Sequence, residues 1–259
     1  MRLLIVLTFM IVPASAQLEP ANQAGVTMGH LHIVTPDPDA HKKIWIDTLG
    51  GKLVTKGKAE FAGFPGVLVG FRLGEANGGT DGSVVDHLGF LVPDLDATKA
   101  KLLAAGVGIV REMPATRQMF TMFPGGVKVE FSEDTKLGIP IRHHHIHFAT
   151  PQIDEMRAWY AKWFDAVPGT RLKFKAADLP GVNLTWNPAE HPTIPTKGRS
   201  LDHIGFEVRD LAAFCKKLEA AGIKLDTPPT EAPSLGLTIA FLTDPWGTRI
   251  ELTEGLTKY

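Results

Sequence analysis

The segment Asp86-His87-Leu88-Gly89-Phe90-Leu91-Val92 returns later in the chain as Asp202-His203-Ile204-Gly205-Phe206-Glu207-Val208. Each copy runs into a helix whose ends are written in the sequence. Asp94 and Asp210 stand where a carboxylate can accept from free helix N–H groups, and Gly106 and Gly222 stand where the chain must turn left-handed. A second pair of copies begins His30-Leu31-His32-Ile33-Val34-Thr35-Pro36 and returns as His145-Ile146-His147-Phe148-Ala149-Thr150-Pro151. These lead into amphipathic helices carrying Ile44, Trp45 and Leu49 in one case and Met156, Trp159, Tyr160 and Trp163 in the other, residues expected in a helix-to-sheet core. Every helix is followed by Gly, Pro and short β-branched runs, so one unit reads strand, helix, then several strands. Four such units of about 55–60 residues tile the chain, modules 3 and 4 repeating modules 1 and 2.

The polar stretch 133–142, with Gly138 and Pro140, separates the halves, giving an expected N-terminal domain at 17–135 and a C-terminal domain at 140–259. Residues 74–83, rich in Gly, and 187–200, rich in Pro, connect the modules within each half. The Gly-rich loop is not a phosphate cradle, because no Gly-Lys-Ser/Thr follows it and the next element is a strand.

Composition bounds the function. The 259 residues are 44% hydrophobic and 21% charged, enough apolar matter for a substantial core. Lys and Arg number 27 against 28 Asp and Glu, a net charge of -1 that supplies no field for a nucleic-acid backbone or an anionic membrane. The single cysteine, Cys215, excludes an internal disulfide and sits beside Phe214 and Leu218 on a helix stripe as a packed thiol. Arg2, the apolar run 3–12 and Ala14-Ser15-Ala16 read as a secretory signal at 1–16, cleaved before Gln17, with an N-terminal anchor as the alternative. The mature chain is then periplasmic or secreted and has no stable membrane insertion.

Ten histidines carry the chemistry. Side chains alternate faces along a strand, so Leu88, Phe90 and Val92 face a helix while His87 and Gly89 face away. His203 and Gly205, and the pairs His30/His32 and His145/His147, follow the same parity. Gly89 and Gly205 leave room beside the histidines. After Pro124-Gly125-Gly126 and Pro245-Trp246-Gly247, closing strands place Glu130 and Glu251 on the same outward face. Two imidazoles and a carboxylate in each half form a set that binds a divalent cation and leaves positions open. The expected sets are His30, His87 and Glu130, and His145, His203 and Glu251. His32 and His147, two residues from the ligands, are candidate proton carriers or simple lining residues. His143 and His144 read as linker histidines, and His41 and His191 as solvated.

The Asp-His-x-Gly-Phe strand, the Asp-Leu helix start and the Asp244-Pro245-x-Gly247 to Glu251 ending resemble the vicinal oxygen chelate superfamily, which includes glyoxalase I, bleomycin-resistance proteins and type I extradiol dioxygenases. The resemblance covers residues 26–254. It implies an α+β fold of four βαβββ modules in tandem, paired into two open-cup mixed β-sheet domains, each around a metal. In four-module extradiol members the working iron lies in the second half, which assigns it to His145, His203 and Glu251. Phe241 stands where those enzymes carry a tyrosine, and residues 231–240 lack their histidine. Glyoxalase-type members use a second glutamate, where residues 67–73 here are neutral or basic.

The expected activity is that of an exported metalloenzyme acting on a small molecule with vicinal oxygens, closest to a ring-cleaving dioxygenase. Fe(II) is the favoured ion, with Mn(II), Ni(II), Co(II) or Zn(II) as alternatives. A glyoxalase-type lyase or isomerase and a non-catalytic resistance-type binding protein are the other readings. A small-molecule substrate is the expected partner, and a homodimer is compatible with the pattern.

Overall fold

Module 1 comprises β1 (Val26–Thr35), α1 (Pro38–Lys42) prolonged by a π-helical turn at Lys43–Thr48, β2 (Lys52–Lys56), β3 (Ala59–Phe64) and β4 (Val67–Leu73). Module 2 follows with β5 (Val85–Val92), α2 (Leu95–Ala104), β6 (Gly108–Met113), β7 (Gln118–Phe123) and β8 (Val127–Glu133). Module 3 consists of β9 (Arg142–Ala149), α3 (Ile153–Phe164), β10 (Val167–Arg171), β11 (Phe174–Leu179) and β12 (Val182–Asn187). Module 4 consists of β13 (Leu201–Val208), α4 (Leu211–Ala220), β14 (Leu225–Ala232), β15 (Leu237–Thr243) and β16 (Arg249–Glu254). The computed structural model describes residues 18–259, so the expected signal sequence at 1–16 lies outside the described residues.

The caps are as the sequence requires. Asp94 Oδ1 accepts from the Ala97 N–H at 2.8 Å and Asp210 Oδ1 from the Ala213 N–H at 2.9 Å. Gly106 and Gly222 both close their helices at φ +82°, a left-handed conformation that a Cβ would strain.

The strands form two eight-stranded sheets, in the orders β14-β15-β16-β13-β1-β4-β3-β2 and β10-β11-β12-β9-β5-β8-β7-β6. The fold class is the expected one: four βαβββ modules in two mixed-sheet cups. The pairing within it is not. The expectation that each half, 17–135 and 140–259, closes its own cup is overturned, because module 1 shares a sheet with module 4 and module 2 with module 3. We call these cup 1 and cup 2.

The physical reason lies in the helices. Trp45, fully buried in module 1, packs its ring 5.3 Å from that of Phe90 and 4.9 Å from that of Phe123, both in module 2. Phe164 of module 3 likewise lies 5.0 Å from Phe206 of module 4, and the Tyr160 hydroxyl donates to Asp244 Oδ2 at 2.9 Å. Modules within a half thus meet through their apolar, helix-covered faces. Their edge strands are then free to pair only with the other half: β1 with β13 and β5 with β9, both antiparallel. One hydrophobic core, which includes Trp45, Phe90, Phe131, Phe148, Phe164 and Phe206, is shared by both sheets. At roughly 1.5–3 kcal/mol for each large side chain buried, it is the main term holding the halves together.

The connecting loops also lock the halves. Arg199 Nε donates to Gly79 O at 2.6 Å and its Nη2 to Asp81 O at 2.9 Å, joining loop 187–200 to loop 74–83. Two further expectations are corrected. His143 and His144 are not linker residues but open β9, and His41 is buried against Phe71, their rings 5.9 Å apart. Cys215 is buried on α4, and burial pushes its thiol up to about 11, an inert packed group. His191 is exposed. Among the described residues, no helix is long and apolar enough to cross a membrane.

Candidate metal centres

Each cup is centred on the two antiparallel strands that join the halves, and register places the chemistry there. In cup 1, His30 of β1 lies opposite Gly205 of β13 and His32 opposite His203, while Glu251 of β16 lies beside Gly205 on its other flank. Cup 2 repeats this with His145 opposite Gly89, His147 opposite His87, and Glu130 beside Gly89. The two expected sets are therefore reassigned. His30, His203 and Glu251 converge with His32, and His87, Glu130 and His145 converge with His147, the donor atoms of each group lying within 4.8 Å of one another. His30 does not join His87 and Glu130, nor His145 join His203 and Glu251, because each cup takes one module from each half.

The glycines explain how the rings fit. A Cβ on Gly205 would stand 2.0 Å from His30 Cε1, and a Cβ on Gly89 would stand 1.9 Å from His145 Cε1. The imidazole across the strand pair occupies that space.

Bulges complete the sites. Pairing skips Asp202 in β13 and Asp86 in β5, leaving one extra residue in each strand just before the histidine. A bulged residue escapes strict alternation, so its side chain can turn to the same side as its neighbour. Asp202 Oδ1 accepts from His203 Nδ1 at 2.7 Å and Asp86 Oδ1 accepts from His87 Nδ1 at 2.5 Å. Such a bond fixes the tautomer that presents Nε2 to an ion. Arg249 Nη1 holds Asp202 at 2.5 Å, and Lys128 Nζ holds Asp86 at 3.0 Å. Strand parity hides these aspartates, and only the skipped register exposes their role.

In cup 1, Glu251 Oε2 accepts from His30 Nε2 at 2.9 Å and lies 2.8 Å from His203 Nε2. Burial opposes charge on Glu251, but nearby His30 and the contact with His203 outweigh it and hold the carboxyl well below its ordinary range. Burial also opposes charge on His203, yet Asp202 and Glu251 outweigh it and raise its pKa. His32 stacks on His203 with ring centroids 4.5 Å apart. Its pKa is held well below the ordinary value by burial and then by the neighbouring His203 and His30, which leaves the ring neutral. His32 Nε2 is buried without a hydrogen-bond partner, and the Nε2 atoms of His30 and His203 both meet Glu251 Oε2, which suits a cation-binding donor set. An apolar cluster of Phe61, Leu68, Leu237 and Leu256, with Ile239 and Tyr259 against it, packs in this cup, and the buried Glu207 of β13 accepts from Thr253 Oγ1 at 2.7 Å and from the Gly255 N–H at 2.8 Å.

Cup 2 is wired differently. Glu130 Oε2 accepts from His87 Nε2 at 3.0 Å, and Oε1 accepts from Gln118 Nε2 and from Ser132 Oγ, each at 2.7 Å. Burial opposes its charge, but His145 and His87 outweigh it and hold Glu130 strongly acidic. Arg171 Nη2 donates to His145 Nε2 at 2.7 Å and lies 3.7 Å from Glu130 Oε2. Since the guanidinium can only donate, His145 Nε2 is the acceptor of this contact; the same nitrogen lies 3.4 Å from Glu130 Oε2, and His145 Nδ1 faces His144 Nδ1 at 3.1 Å. Arg171, Gln118, Ser132 and the two aspartates with their partners Arg249 and Lys128 are members of these sites that sequence parity did not reveal.

The wider relationships of the chain agree with this architecture. The sequence profile of the Glyoxalase/Bleomycin resistance protein/Dioxygenase superfamily matches residues 27–131 and 142–252, once in each half. Glyoxalase I from Zea mays superposes with a TM-score of 0.70 at 18% identity, covering 90% of this chain and 94% of that one. A putative dioxygenase from Bacillus subtilis gives 0.68 at 16% identity, covering 88% and 85%. At these identities the likeness is one of fold. No curated protein matches the chain in sequence. With both halves matched by one family profile and the duplicated βαβββ cups in place, the chain belongs to the Glyoxalase/Bleomycin resistance protein/Dioxygenase superfamily, the vicinal oxygen chelate group.

Proposed function

We propose that the protein is an exported, divalent-metal-dependent enzyme that acts in cup 1 on a small apolar molecule carrying two neighbouring oxygens, in the manner of a ring-cleaving dioxygenase. The observation that carries this reading is the convergence of His30, His203 and Glu251 from three strands, with the unpartnered Nε2 of His32 beside them. These side chains would hold Fe(II), the favoured ion, or Mn(II), Co(II), Ni(II) or Zn(II), with further positions open to ligands. When bound, the ion supplies Lewis-acid polarisation of the substrate oxygens.

The remaining steps belong to the chain. Asp202 orients His203, and Gly205 gives His30 its seat. His32, its ring stacked on His203 beside the three donors, is placed to take a proton from a substrate hydroxyl. Phe61, Leu68 and Ile239, with Phe241 edge-on to His203 at 5.4 Å between ring centroids, exclude water and fit an aromatic or aliphatic body. Along β4, the neighbours of His30 and His32 are Leu68 and Gly70, so that strand offers no second acid for a glyoxalase-type set. This favours the three-ligand reading over isomerisation.

The test is anaerobic loading with Fe(II), then oxygen uptake across a catechol panel. Uptake matched by ring-opened product supports the reading. Silence with both Fe(II) and Mn(II) across the panel, in protein that retains its metal, overturns it. Turnover without oxygen in the presence of Ni(II), Co(II) or Zn(II) would transfer the site to isomerase chemistry. Export rests on the pattern Arg2, residues 3–12 and Ala14-Ser15-Ala16, and is checked by cell fractionation with N-terminal sequencing.

A further inference from the structure

The two cups are copies of one site, so each serves as the internal reference for the other. Their donor sets match residue for residue, yet their surroundings diverge at a group of linked positions.

In cup 2 the guanidinium of Arg171 meets the donors directly, 2.7 Å from His145 Nε2 and 3.7 Å from Glu130 Oε2. A relay anchors it: Arg171 Nε donates to Thr185 Oγ1 at 3.1 Å, Thr185 Oγ1 donates to Asn183 Oδ1 at 2.6 Å, and Asn183 Nδ2 donates to Asp178 Oδ1 at 2.6 Å. Aligning module 3 on module 1 from His145 and His30 puts Lys56, Gly70, Leu68 and Gly63 at these four positions. The whole relay is therefore missing from cup 1, and Lys56 turns its ammonium over the Tyr259 ring, 4.8 Å from the centroid. The remaining donors diverge in the same sense. Glu130 is also held by Gln118 and Ser132, where β15 and β16 of module 4 place Ile239 and Thr253. His203 Nε2 and His87 Nε2 each lie against their own glutamate, at 2.8 and 3.0 Å, so the difference between the cups is the guanidinium on His145 Nε2, where His30 Nε2 meets only Glu251.

We infer that cup 2 is closed to metal, with the Arg171 guanidinium serving as a built-in cation in the place that an ion would take, so that one chain binds one divalent ion and binds it in cup 1. The physical basis is exclusion. The His145 lone pair that would ligate an ion accepts a charged hydrogen bond from arginine, which cannot deprotonate to release it. A second positive charge brought against the guanidinium in this dry pocket would be repelled at short range. Cup 2 then acts as a charge-balanced strut of the duplicated fold.

The experiment is a count of bound Co(II) by equilibrium dialysis and elemental analysis, with the Co(II) absorption spectrum as a second readout, on the mature chain and its variants. The wild type is expected to bind one ion. Arg171→Met, which keeps the aliphatic stem and removes the charge, is expected to bind two, the second lost again on adding His87→Ala. His203→Ala in the otherwise native chain is expected to bind none, and Arg171→Met/His203→Ala to bind one.

Two ions in the wild type, or one in His203→Ala, would overturn the inference. So would one ion in an Arg171→Met protein that keeps the native circular dichroism. If Arg171→Met does not fold, the His203→Ala count still decides the matter. A wild type that binds no metal while Arg171→Met binds one would sink the proposed activity and uphold the closure of cup 2.

Discussion

Gly205 lies directly beneath the imidazole of His30, so that a Cβ on the glycine would stand 2.0 Å from Cε1 of the ring. The two residues come from opposite ends of the chain and are register partners at the centre of cup 1. A methyl group there must expel the ring, because the glycine sits on a strand with no slack. Gly205→Ala is expected to weaken Co(II) binding by about 100-fold or more, beyond the 10–100-fold typical of losing an outer-shell partner. Gly89→Ala, the same change in cup 2, is expected to leave the metal count of the native chain unaltered. Equilibrium dialysis of both variants checks the pair, and equal losses would contradict it.

Asp202 holds His203 through Nδ1 at 2.7 Å without touching the position of an ion. Asp202→Asn keeps the shape and removes the charge. Metal affinity is expected to fall about 10–100-fold, and the unfolding midpoint of the metal-free protein is expected to fall as well, because Arg249 at 2.5 Å loses its counter-charge. Isothermal titration with Co(II) measures the first and chemical denaturation the second.

His41 is fully buried, and both of its ring nitrogens lack a hydrogen-bond partner. Burial lowers its pKa from 6.5 to about 4. The unfolded chain thus binds a proton below pH 6.5 that the folded chain refuses until about pH 4, so stability rises with pH across this window and is lost as pH falls through it. The linked contribution is at most about 3 kcal/mol. Met156 occupies the equivalent position in module 3, and His41→Met is expected to flatten the stability curve between pH 4 and 6.5. Urea midpoints at stepped pH check this; parallel curves for the two proteins would refute it.

Trp45 belongs to module 1 but packs against Phe90 and Phe123 of module 2. Trp45→Ala is expected to cost about 3–5 kcal/mol, the range for removing a large buried aromatic side chain. Because the core is shared, the loss should appear as one cooperative shift in urea unfolding. Separate transitions for the two cups would show that the sheets are energetically independent.

The duplication, the four modules, the helix caps and the six principal donor residues were legible in the sequence, since strand parity and capping are local properties of a few neighbouring residues. The grouping of the donors was not legible. Module 1 and module 3 present the same outward histidines, so either could complete a site with His203 and Glu251 as far as pattern goes. Helix packing decided between them: Trp45 and Phe164 bind each module to its sequence neighbour through the convex face and leave the strand edges to the other half. The aspartates beside His87 and His203 were hidden for a related reason. Alternation sends adjacent side chains to opposite faces, and the bulges that bring them together exist only in the paired sheet.

The sequence by itself therefore determined that histidines and glutamates would face one side of a repeated strand-helix-strand unit, because that follows from the two-residue period of an extended chain. Only the tertiary structure decided which of them share a cup, and that Arg171, at the end of an edge strand, reaches back to the donors of cup 2. Those outcomes depend on register and packing between segments far apart in the chain, where no local periodicity carries information.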